Sequence, residues 1–448
     1  MARLVVVGDS LAMGGRSYAA STLDVSFPGL VARTLGLSAD QFRMPDFSPH
    51  GGLPFNLEWA ARRLAAEHGE HISGFQWAAV ALRVADMLEE VRHYWDSPPP
   101  QDDVLYHNIA CWGMEVGNAF QVTSAFVGEE YRRRPKDVLH WPLLAILRIW
   151  ERVLNPADRP ERKNDTMVDI AWRIADREGG IDHLVVSMGA NNCTRAIIEM
   201  DLRETDLIEV PPLSGFTVWT AAAFAHEYRI LCSWLERVDA RHVYLTTVPH
   251  MSVAPIISGL MAEPASAIKG SYYDYYVRFE PRRLDPIWVP HISGDDMRLL
   301  DNRIDAYNAA IRHEAEKRGW AIIDLCALFD DLVSPDRRAA RLPAELADLT
   351  MDAFTIDTEG RLASGGLMSL DGLHPTVCCS GLVAHLVLEA MRVHEPDVPA
   401  IDWAAVRAAD TLVSDPPPVL NDLTEMVRVL DDRINLSRLL TRWIRISA

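Results

Sequence analysis

The most reactive group that the sequence offers is a serine at the end of a buried strand. Residues 4–7 are four consecutive apolar residues, three of them β-branched, which is typical of a strand buried on both faces. Gly8-Asp9-Ser10 follows, so the Ser10 hydroxyl lies at the carboxyl end of that strand, where open α/β sheets bind ligands. Two interpretations are open at this point, because Ser10 is either a cap for the next helix or a nucleophile.

A base for such a serine stands near the far end of the chain. His374 follows Asp371 by three residues and is itself followed by a proline. A serine hydroxyl is a weak nucleophile without a base, and an imidazole whose Nδ1–H is held by a carboxylate presents Nε2 to the hydroxyl. We therefore expect His374 to be the base and Asp371 to orient it, although an isolated Asp-x-x-His is usually a surface turn.

Two further strand ends carry groups that could stabilise a negatively charged oxygen. Gly113 follows a predicted strand at residues 104–110 and offers a backbone N–H with no side chain to block a ligand. Asn191 follows a predicted strand at residues 183–188 and offers a side-chain amide. Together with the N–H of Ser10, these groups could form an oxyanion hole, although Gly-Ala-Asn-Asn is also an ordinary turn sequence.

The elements that must position these groups alternate along the chain. Strands are predicted at residues 4–7, 104–110, 183–188, 242–248 and 320–325, and helices at 28–35, 57–68, 76–95, 220–238 and 380–392, with 120–180 mostly helical. Strands that alternate with helices of this length favour βαβ units in one parallel sheet. The sequence therefore predicts the α/β class, with a parallel sheet of about five strands.

The predicted domain organisation is one catalytic domain over residues 1–410 with two additions. Residues 249–291 are longer than a strand-to-helix connection requires and rich in aromatic residues, which leaves a buried subdomain and a lid or substrate wall as alternatives. Residues 411–448 comprise the linker Pro416-Pro417-Pro418 and a C-terminal helix with one apolar face. We expect that helix to pack on the body of the protein rather than on a membrane.

Composition excludes several classes of partner. The 44 Lys and Arg residues against 63 Asp and Glu give a formal net charge of −19, which disfavours nucleic acid and anionic membranes. No apolar run approaches the roughly 20 residues of a membrane span, and the run at residues 4–7 is too short for a signal peptide. We therefore expect a cytoplasmic protein of unknown oligomeric state. We expect no cofactor and no metal, because no Gly-rich phosphate loop is present and no His/Cys/Asp/Glu cluster shows metal-ligand spacing.

The motifs together resemble those of a known superfamily. The chain is similar to the GDSL/SGNH hydrolases in four blocks that occur in the family's order: Gly8-Asp9-Ser10-Leu11, Asn108-x-x-x-x-Gly113, Gly189-x-Asn191 and Asp371-x-x-His374. The resemblance implies a flavodoxin-like three-layer α/β/α fold and ester hydrolysis by a Ser-Asp-His triad. It also implies the site residues: Ser10 as nucleophile and first oxyanion donor, Gly113 and Asn191 as the other donors, His374 as base and Asp371 as its partner. The family's third block usually ends in Asp, where this chain has Asn192.

We therefore predict a serine hydrolase of the esterase or lipase type, acting on a small-molecule carboxylic ester through an acyl-enzyme. An acyltransferase, in which an alcohol replaces water in the second step, is the related alternative. A non-catalytic binding module on the same fold, with Ser10 as a mere helix cap, is the alternative from a different class.

Overall fold

The computed structural model describes residues 1–97, 103–137, 140–260, 272–278, 289–356 and 362–434. The strands are, in chain order, β1 (Ala2–Gly8), β2 (Ala19–Ala20), β3 (Leu53–Pro54), β4 (Ile181–Ser187), β5 (Glu204–Thr205), β6 (Val218–Trp219), β7 (Ala240–Thr246), β8 (Ser258–Leu260), β9 (Tyr275–Val277), β10 (His291–Ser293), β11 (Ala321–Ile323), β12 (Phe354–Ile356) and β13 (Leu362–Gly365).

The helices are, in chain order, α1 (Ser10–Met13), α2 (Phe27–Thr34), α3 (Leu57–His68), α4 (Gln76–Asp96), α5 (Asn118–Gln121), α6 (Ser124–Arg133), α7 (Trp141–Leu154), α8 (Met167–Glu178), α9 (Asn191–Glu199), α10 (Ala221–Leu235), α11 (Gly294–Arg318), α12 (Leu325–Val333), α13 (Pro335–Arg341), α14 (Val377–Arg392), α15 (Trp403–Ala409), α16 (Thr411–Ser414) and α17 (Leu420–Ile434). Short 3₁₀ turns lie at Leu23–Val25, Pro49–Gly51, Pro160–Arg162, Met251–Val253 and Ala344–Leu346.

A parallel sheet of four strands, in the order β1-β4-β7-β11, forms the centre of the fold. Its register pairs Val5 with Leu184 and Leu184 with Val243. The apolar residues of β1 are fully buried, as expected for a strand covered on both faces. The parallel register brings the carboxyl ends of β1, β4 and β7 to one edge of the sheet, where the residues of interest follow.

The segment at residues 104–110, predicted as a fifth strand, is not a regular strand. It forms one parallel bridge with β1, between Val6 and Asn108. Backbone hydrogen bonds support this bridge, because Val6 N–H donates to His107 C=O and Ile109 N–H donates to Val6 C=O, both at 2.8 Å. The Asn108 side chain accepts a hydrogen bond from Ala110 N–H at 3.2 Å and donates one to Ala12 C=O at 3.1 Å. The segment therefore lies along the edge of β1 as predicted, but it pairs with β1 over too short a stretch to form a regular strand.

Helices cover both faces of the sheet. The helix α8 packs on β1 and β4, and α11 packs on β7 and β11, while α14 packs on α2 and β11. This arrangement confirms the predicted three-layer α/β sandwich. If the bridging segment at residues 104–110 is counted as the second strand, the order is 2-1-3-4-5, which is the flavodoxin-like order.

Most predicted elements are confirmed with small shifts in their bounds. The predicted strands at residues 183–188, 242–248 and 320–325 are β4, β7 and β11; the last is shorter because Asp324 caps α12 by accepting Ala327 N–H at 3.2 Å. The helices predicted at residues 28–35, 57–68, 76–95, 220–238 and 380–392 are α2, α3, α4, α10 and α14. The long helix α11, capped by Ser293, was not predicted.

The segment at residues 249–291 contributes a small antiparallel sheet of order β10-β9-β8. Ile256 N–H donates a hydrogen bond to Gly372 C=O at 2.8 Å, so the beginning of this segment contacts the loop that carries Asp371 and His374. Residues 261–271 and 279–288 lie outside the described residues. The choice between a lid and a buried subdomain therefore stays open.

The C-terminal helix α17 lies beside α3 and α4. Leu423 packs against a second, smaller apolar cluster, whose buried members are Ala60, Ala61, Leu64, Ile72, Val80, Met87, Val419 and Leu420. Residues 435–448 lie outside the described residues. Among the helices that the structure describes, none combines the length and the apolar character that a membrane crossing requires.

Candidate active site

Ser10 is the first residue of α1, directly beyond the carboxyl end of β1. The helix cap at this point is Asp9, whose carboxylate accepts Leu11 N–H at 3.1 Å. Ser10 therefore does not cap the helix, and the interpretation of this serine as a mere cap was wrong. Its hydroxyl points instead to His374, with 2.9 Å between Oγ and Nε2.

His374 links the serine to a carboxylate from its own loop. Its Nδ1 lies 2.9 Å from Oδ2 of Asp371, and both side chains are only 7% exposed. Burial by itself would raise the pKa of Asp371, but the His374 imidazole and the surrounding hydrogen bonds lower it to about 2. An ionised carboxylate can only accept hydrogen bonds, so Nδ1 carries the proton. Nε2 is then free to accept the Ser10 hydroxyl.

The Asp371 carboxylate is held by several donors besides the imidazole. Oδ1 accepts the N–H groups of Leu373 and His374, at 2.9 and 2.8 Å, and the Ser369 hydroxyl at 3.2 Å. Oδ2 also accepts Tyr18 N–H at 2.7 Å. These bonds prevent the carboxylate from rotating away and so keep the imidazole aimed at Ser10.

The segment that binds the Asp371 loop has a strained backbone. Ser17 and Tyr18 have φ values of 50° and 63°, in the left-handed region that non-glycine residues rarely adopt. Ser17 N–H donates to Oγ of Ser369 at 2.8 Å, and Tyr18 N–H donates to Asp371. The strained conformation is therefore stabilised by two hydrogen bonds that also hold the carboxylate in place.

Trp112 packs on the imidazole and restricts its rotation. The Trp112 and His374 ring centroids are 4.4 Å apart with an interplanar angle of 44°. Trp150 fixes the tryptophan by donating its indole N–H to Trp112 C=O at 2.7 Å. A Cβ atom at Gly15 would lie 2.7 Å from the Trp112 ring and 2.9 Å from the imidazole. Only glycine at position 15 leaves room for this packing.

The three predicted oxyanion donors lie at the same edge of the sheet. Cys111 N–H donates to Gly8 C=O at 2.9 Å, which brings the Gly113 loop beside Ser10. Asn191 Nδ2 donates to Met114 C=O at 3.0 Å, one residue beyond Gly113. Within the described part of the chain, neither Ser10 nor Gly113 uses its backbone N–H in a hydrogen bond to the protein. Gly113 has a φ of 75°, a value that favours glycine.

Asn192 stands where the resembled family has aspartate, and its side chain supports the neighbouring loop. Its Oδ1 accepts Val116 N–H at 3.1 Å, a role that an aspartate could fill equally well. Its Nδ2 is buried and finds no hydrogen-bond partner among the described residues. Asn192 therefore holds the loop of Gly113 in place, while the Asn191 amide contacts that loop at Met114.

Tyr18, Trp112 and Gly15 were not singled out by the sequence analysis. Trp112 directly precedes Gly113, and Gly15 lies five residues after Ser10, so position near a motif was the only available signal. The Tyr18 and Trp112 rings meet edge to face with centroids 6.2 Å apart. Their role depends on contacts between distant segments, which local spacing does not show.

Comparison with known proteins gives no family assignment. No protein-family model matches the chain, and no curated protein matches it. Among solved structures, one titled as LAE5, an alpha/beta hydrolase enzyme from the metagenome of Lake Arreo, Spain, is 13% identical with a TM-score of 0.31, over 87% of this chain and 94% of that chain. A second is 12% identical with a TM-score of 0.31, over 88% of this chain and 97% of that chain. Such distant likeness carries no conclusion about activity.

Two buried carboxyl groups lie beneath the loop of Gly113. Glu227 is 1% exposed, accepts Val210 N–H at 3.0 Å and lies against Gly117, where an added Cβ would be 2.8 Å from Oε2. Glu115 is 6% exposed. Burial raises the pKa of Glu227 to about 7 and that of Glu115 to about 8. The folded protein therefore binds protons that the unfolded chain releases near pH 4.5.

This protonation predicts how Glu227→Gln changes stability with pH. A carboxyl group whose pKa is raised on folding stabilises the protein at low pH, and its contribution decreases as pH rises from about 4.5 to 7. Glutamine keeps the acceptor for Val210 and has no charge to bury. Relative to wild type, we expect the free energy of unfolding of Glu227→Gln to rise by about 1–3 kcal/mol between pH 5 and pH 8.

Urea denaturation at both pH values measures this difference. The exposed Glu316 supplies a matched control, and Glu316→Gln should follow wild type at both pH values. A Glu227→Gln effect that is equal at pH 5 and pH 8 would show that Glu227 is ionised in the folded protein.

Proposed function

We propose that the protein is a serine hydrolase of the GDSL/SGNH type that cleaves carboxylic esters through an acyl-enzyme. The observation that carries the proposal is the chain of contacts from Ser10 Oγ to His374 Nε2 and from His374 Nδ1 to Asp371 Oδ2, each 2.9 Å long. Nucleophile, base and orienting carboxylate are thus within hydrogen-bond reach of one another.

The first half-reaction begins with proton transfer from Ser10 to Nε2 of His374. Oγ attacks the ester carbonyl, and the imidazolium that forms is stabilised by the ionised Asp371. The tetrahedral intermediate collapses when the C–O bond to the alcohol breaks and Nε2 returns the proton to the departing alkoxide. The acyl group then remains on Ser10 as an ester.

The second half-reaction repeats these steps with water. His374 takes a proton from the water molecule, the hydroxide attacks the acyl-enzyme, and the proton then passes to Oγ as the carboxylic acid departs. An alcohol in place of water would make the same site an acyltransferase. The contacts of the described residues do not favour that variant over hydrolysis.

The negative charge that develops on the carbonyl oxygen needs donors that are already in place. The backbone N–H groups of Ser10 and Gly113 and the Asn191 amide are the proposed donors. Gly113 is held in a loop that is bonded at both ends, to Gly8 through Cys111 and to Asn192 through Val116. Little reorganisation is then required when the charge appears, which is the condition under which such donors accelerate a reaction most.

Ser10→Ala is expected to abolish ester hydrolysis and leave the fold intact. The attacking atom is removed, so the kcat for p-nitrophenyl esters should fall by more than about 10³-fold. The lost hydrogen bond to His374 should cost only about 1 kcal/mol of stability. Assays over esters of increasing acyl-chain length would measure the activity and define the substrate preference.

The exposed Ser73 provides a control, since Ser73→Ala removes a hydroxyl outside the site and should keep wild-type activity. Thermal unfolding of both variants would confirm that they are folded. If Ser10→Ala, when folded, retained wild-type turnover, Ser10 would not be the nucleophile and the proposed mechanism would be wrong.

The two adjacent asparagines are expected to have different effects. Asn191→Ala removes an oxyanion donor and should lower kcat by about 10²–10³-fold with little change in KM, because the contact strengthens as charge develops. Asn192→Ala should slow the reaction less and destabilise the fold more, by about 1–3 kcal/mol, because Val116 N–H loses its buried acceptor.

Steady-state kinetics and urea denaturation of both variants separate these effects. Asn192→Asp keeps the acceptor for Val116 N–H and should retain activity. A larger loss of kcat in Asn192→Ala than in Asn191→Ala would contradict the assignment and would move the donor role to Asn192.

A further inference from the structure

A second cluster of reactive side chains lies at the far side of the same sheet edge. His250 follows β7, while Cys326 and Asp330 lie one turn apart on α12. One ligand atom from each of these residues lies within 4.8 Å of the others. The strand β4 lies between β1 and β7, so the cluster is separate from the Ser10 site. Histidine, cysteine and aspartate come together here from two distant parts of the chain.

Two distances within the cluster lie close to those between ligands of one tetrahedral zinc ion. Bond lengths of 2.0–2.3 Å to zinc place neighbouring N and O ligands about 3.3 Å apart and neighbouring N and S ligands about 3.6 Å apart. Here His250 Nδ1 is 3.0 Å from Oδ1 of Asp330 and 3.7 Å from Sγ of Cys326. Sγ is also 3.8 Å from Nε2, so the thiol lies against the ring, and a rotation of the imidazole or the thiol is needed for one ion to reach both Nδ1 and Sγ.

Neighbouring residues make hydrogen bonds to the cluster like those that orient the ligands of a metal site. His250 Nε2 lies 3.3 Å from Oδ1 of Asp305, and a carboxylate that accepts the second ring N–H is the usual partner of a metal-bound histidine. Cys326 N–H donates to Oγ1 of Thr247 at 2.9 Å, which docks the first turn of α12 beside the end of β7. The backbone that carries Cys326 is therefore fixed beside the imidazole.

We propose that His250, Cys326 and Asp330 form a binding site for a zinc ion, with water as the fourth ligand. The mixed nitrogen, sulfur and oxygen donors favour zinc over calcium or magnesium, which prefer oxygen ligands alone. The ion would join the start of the segment at residues 249–291 to α12. The same segment is also bound to α11, because Met251 N–H donates to Oδ1 of Asp301 at 3.1 Å. The proposed ion takes no part in the ester chemistry at Ser10.

Cobalt(II) titration of the untagged, chelator-treated full-length chain tests the site, because cobalt occupies zinc sites and a thiolate ligand adds a charge-transfer absorption. We expect one equivalent of cobalt to produce that absorption and one equivalent of zinc to remove it. Cys326→Ala should abolish the absorption, whereas Cys232→Ala, which removes another buried cysteine, should retain it. Zinc should also raise the unfolding temperature of the wild type.

Asp305→Asn provides a variant that does not disturb the core, since the Asp305 side chain is 70% exposed. Loss of the carboxylate behind His250 should weaken zinc binding about 10–100-fold in a competition assay with a chromophoric chelator. Asp295→Asn, an exposed change on the same helix, should bind zinc like the wild type. The proposal is overturned if the wild type gives no thiolate absorption with cobalt, if Cys326→Ala gives the same absorption, or if Asp305→Asn binds zinc as tightly as Asp295→Asn.

Discussion

The geometry of the candidate site depends on the hydrogen bonds that the Asp371 carboxylate accepts. It accepts hydrogen bonds from the Tyr18, Leu373 and His374 backbones, from the Ser369 hydroxyl and from the His374 ring. These bonds hold the pKa of a buried acid at about 2, so the group stays charged where burial alone would neutralise it. A fixed negative charge in turn determines which nitrogen of His374 carries the proton. Because Asp371 is ionised and Nδ1 of His374 carries a proton, the proposed transfer runs from the Ser10 hydroxyl to Nε2.

The same carboxylate connects parts of the chain that are far apart in sequence. The strained residues Ser17 and Tyr18 lie just beyond the nucleophile, and their N–H groups bond the loop that carries the base. The conformational strain, of order 1–3 kcal/mol per residue, is opposed by these two hydrogen bonds, of which the one from Ser17 to Ser369 is buried. Ile256 adds a third segment by bonding Gly372. The fold thus orients the proposed nucleophile, Ser10, and the proposed base, His374, before a substrate binds. Catalysis by fixed dipoles and charges requires such pre-orientation.

Much of this arrangement could be predicted from the sequence, because the fold class and the motifs obey local rules. Period and composition identify β1, β4 and β7, and parallel strands bring Ser10 and Asn191 to one edge.

Local sequence rules do not predict features that depend on contacts between distant residues. The segment at residues 104–110 has the composition of a strand, yet it pairs with β1 over only a few residues. The packing of Trp112 on His374 joins residues 262 positions apart, and the cluster of His250 with Cys326 and Asp330 has no spacing that a linear motif could show. The role of Asp9 as helix cap likewise became clear only from its bond to Leu11.

The central claim is that Ser10 is an activated nucleophile, and covalent labelling by a fluorophosphonate tests it most directly. Such a reagent phosphonylates a serine hydroxyl whose proton can pass to a neighbouring base, and fluoride departs. The account predicts one adduct per chain, located at Ser10 by mass spectrometry of its peptides, with a labelling rate that falls sharply in His374→Gln. Absence of an adduct in the folded protein, or an adduct at another residue with Ser10 unmodified, would contradict it.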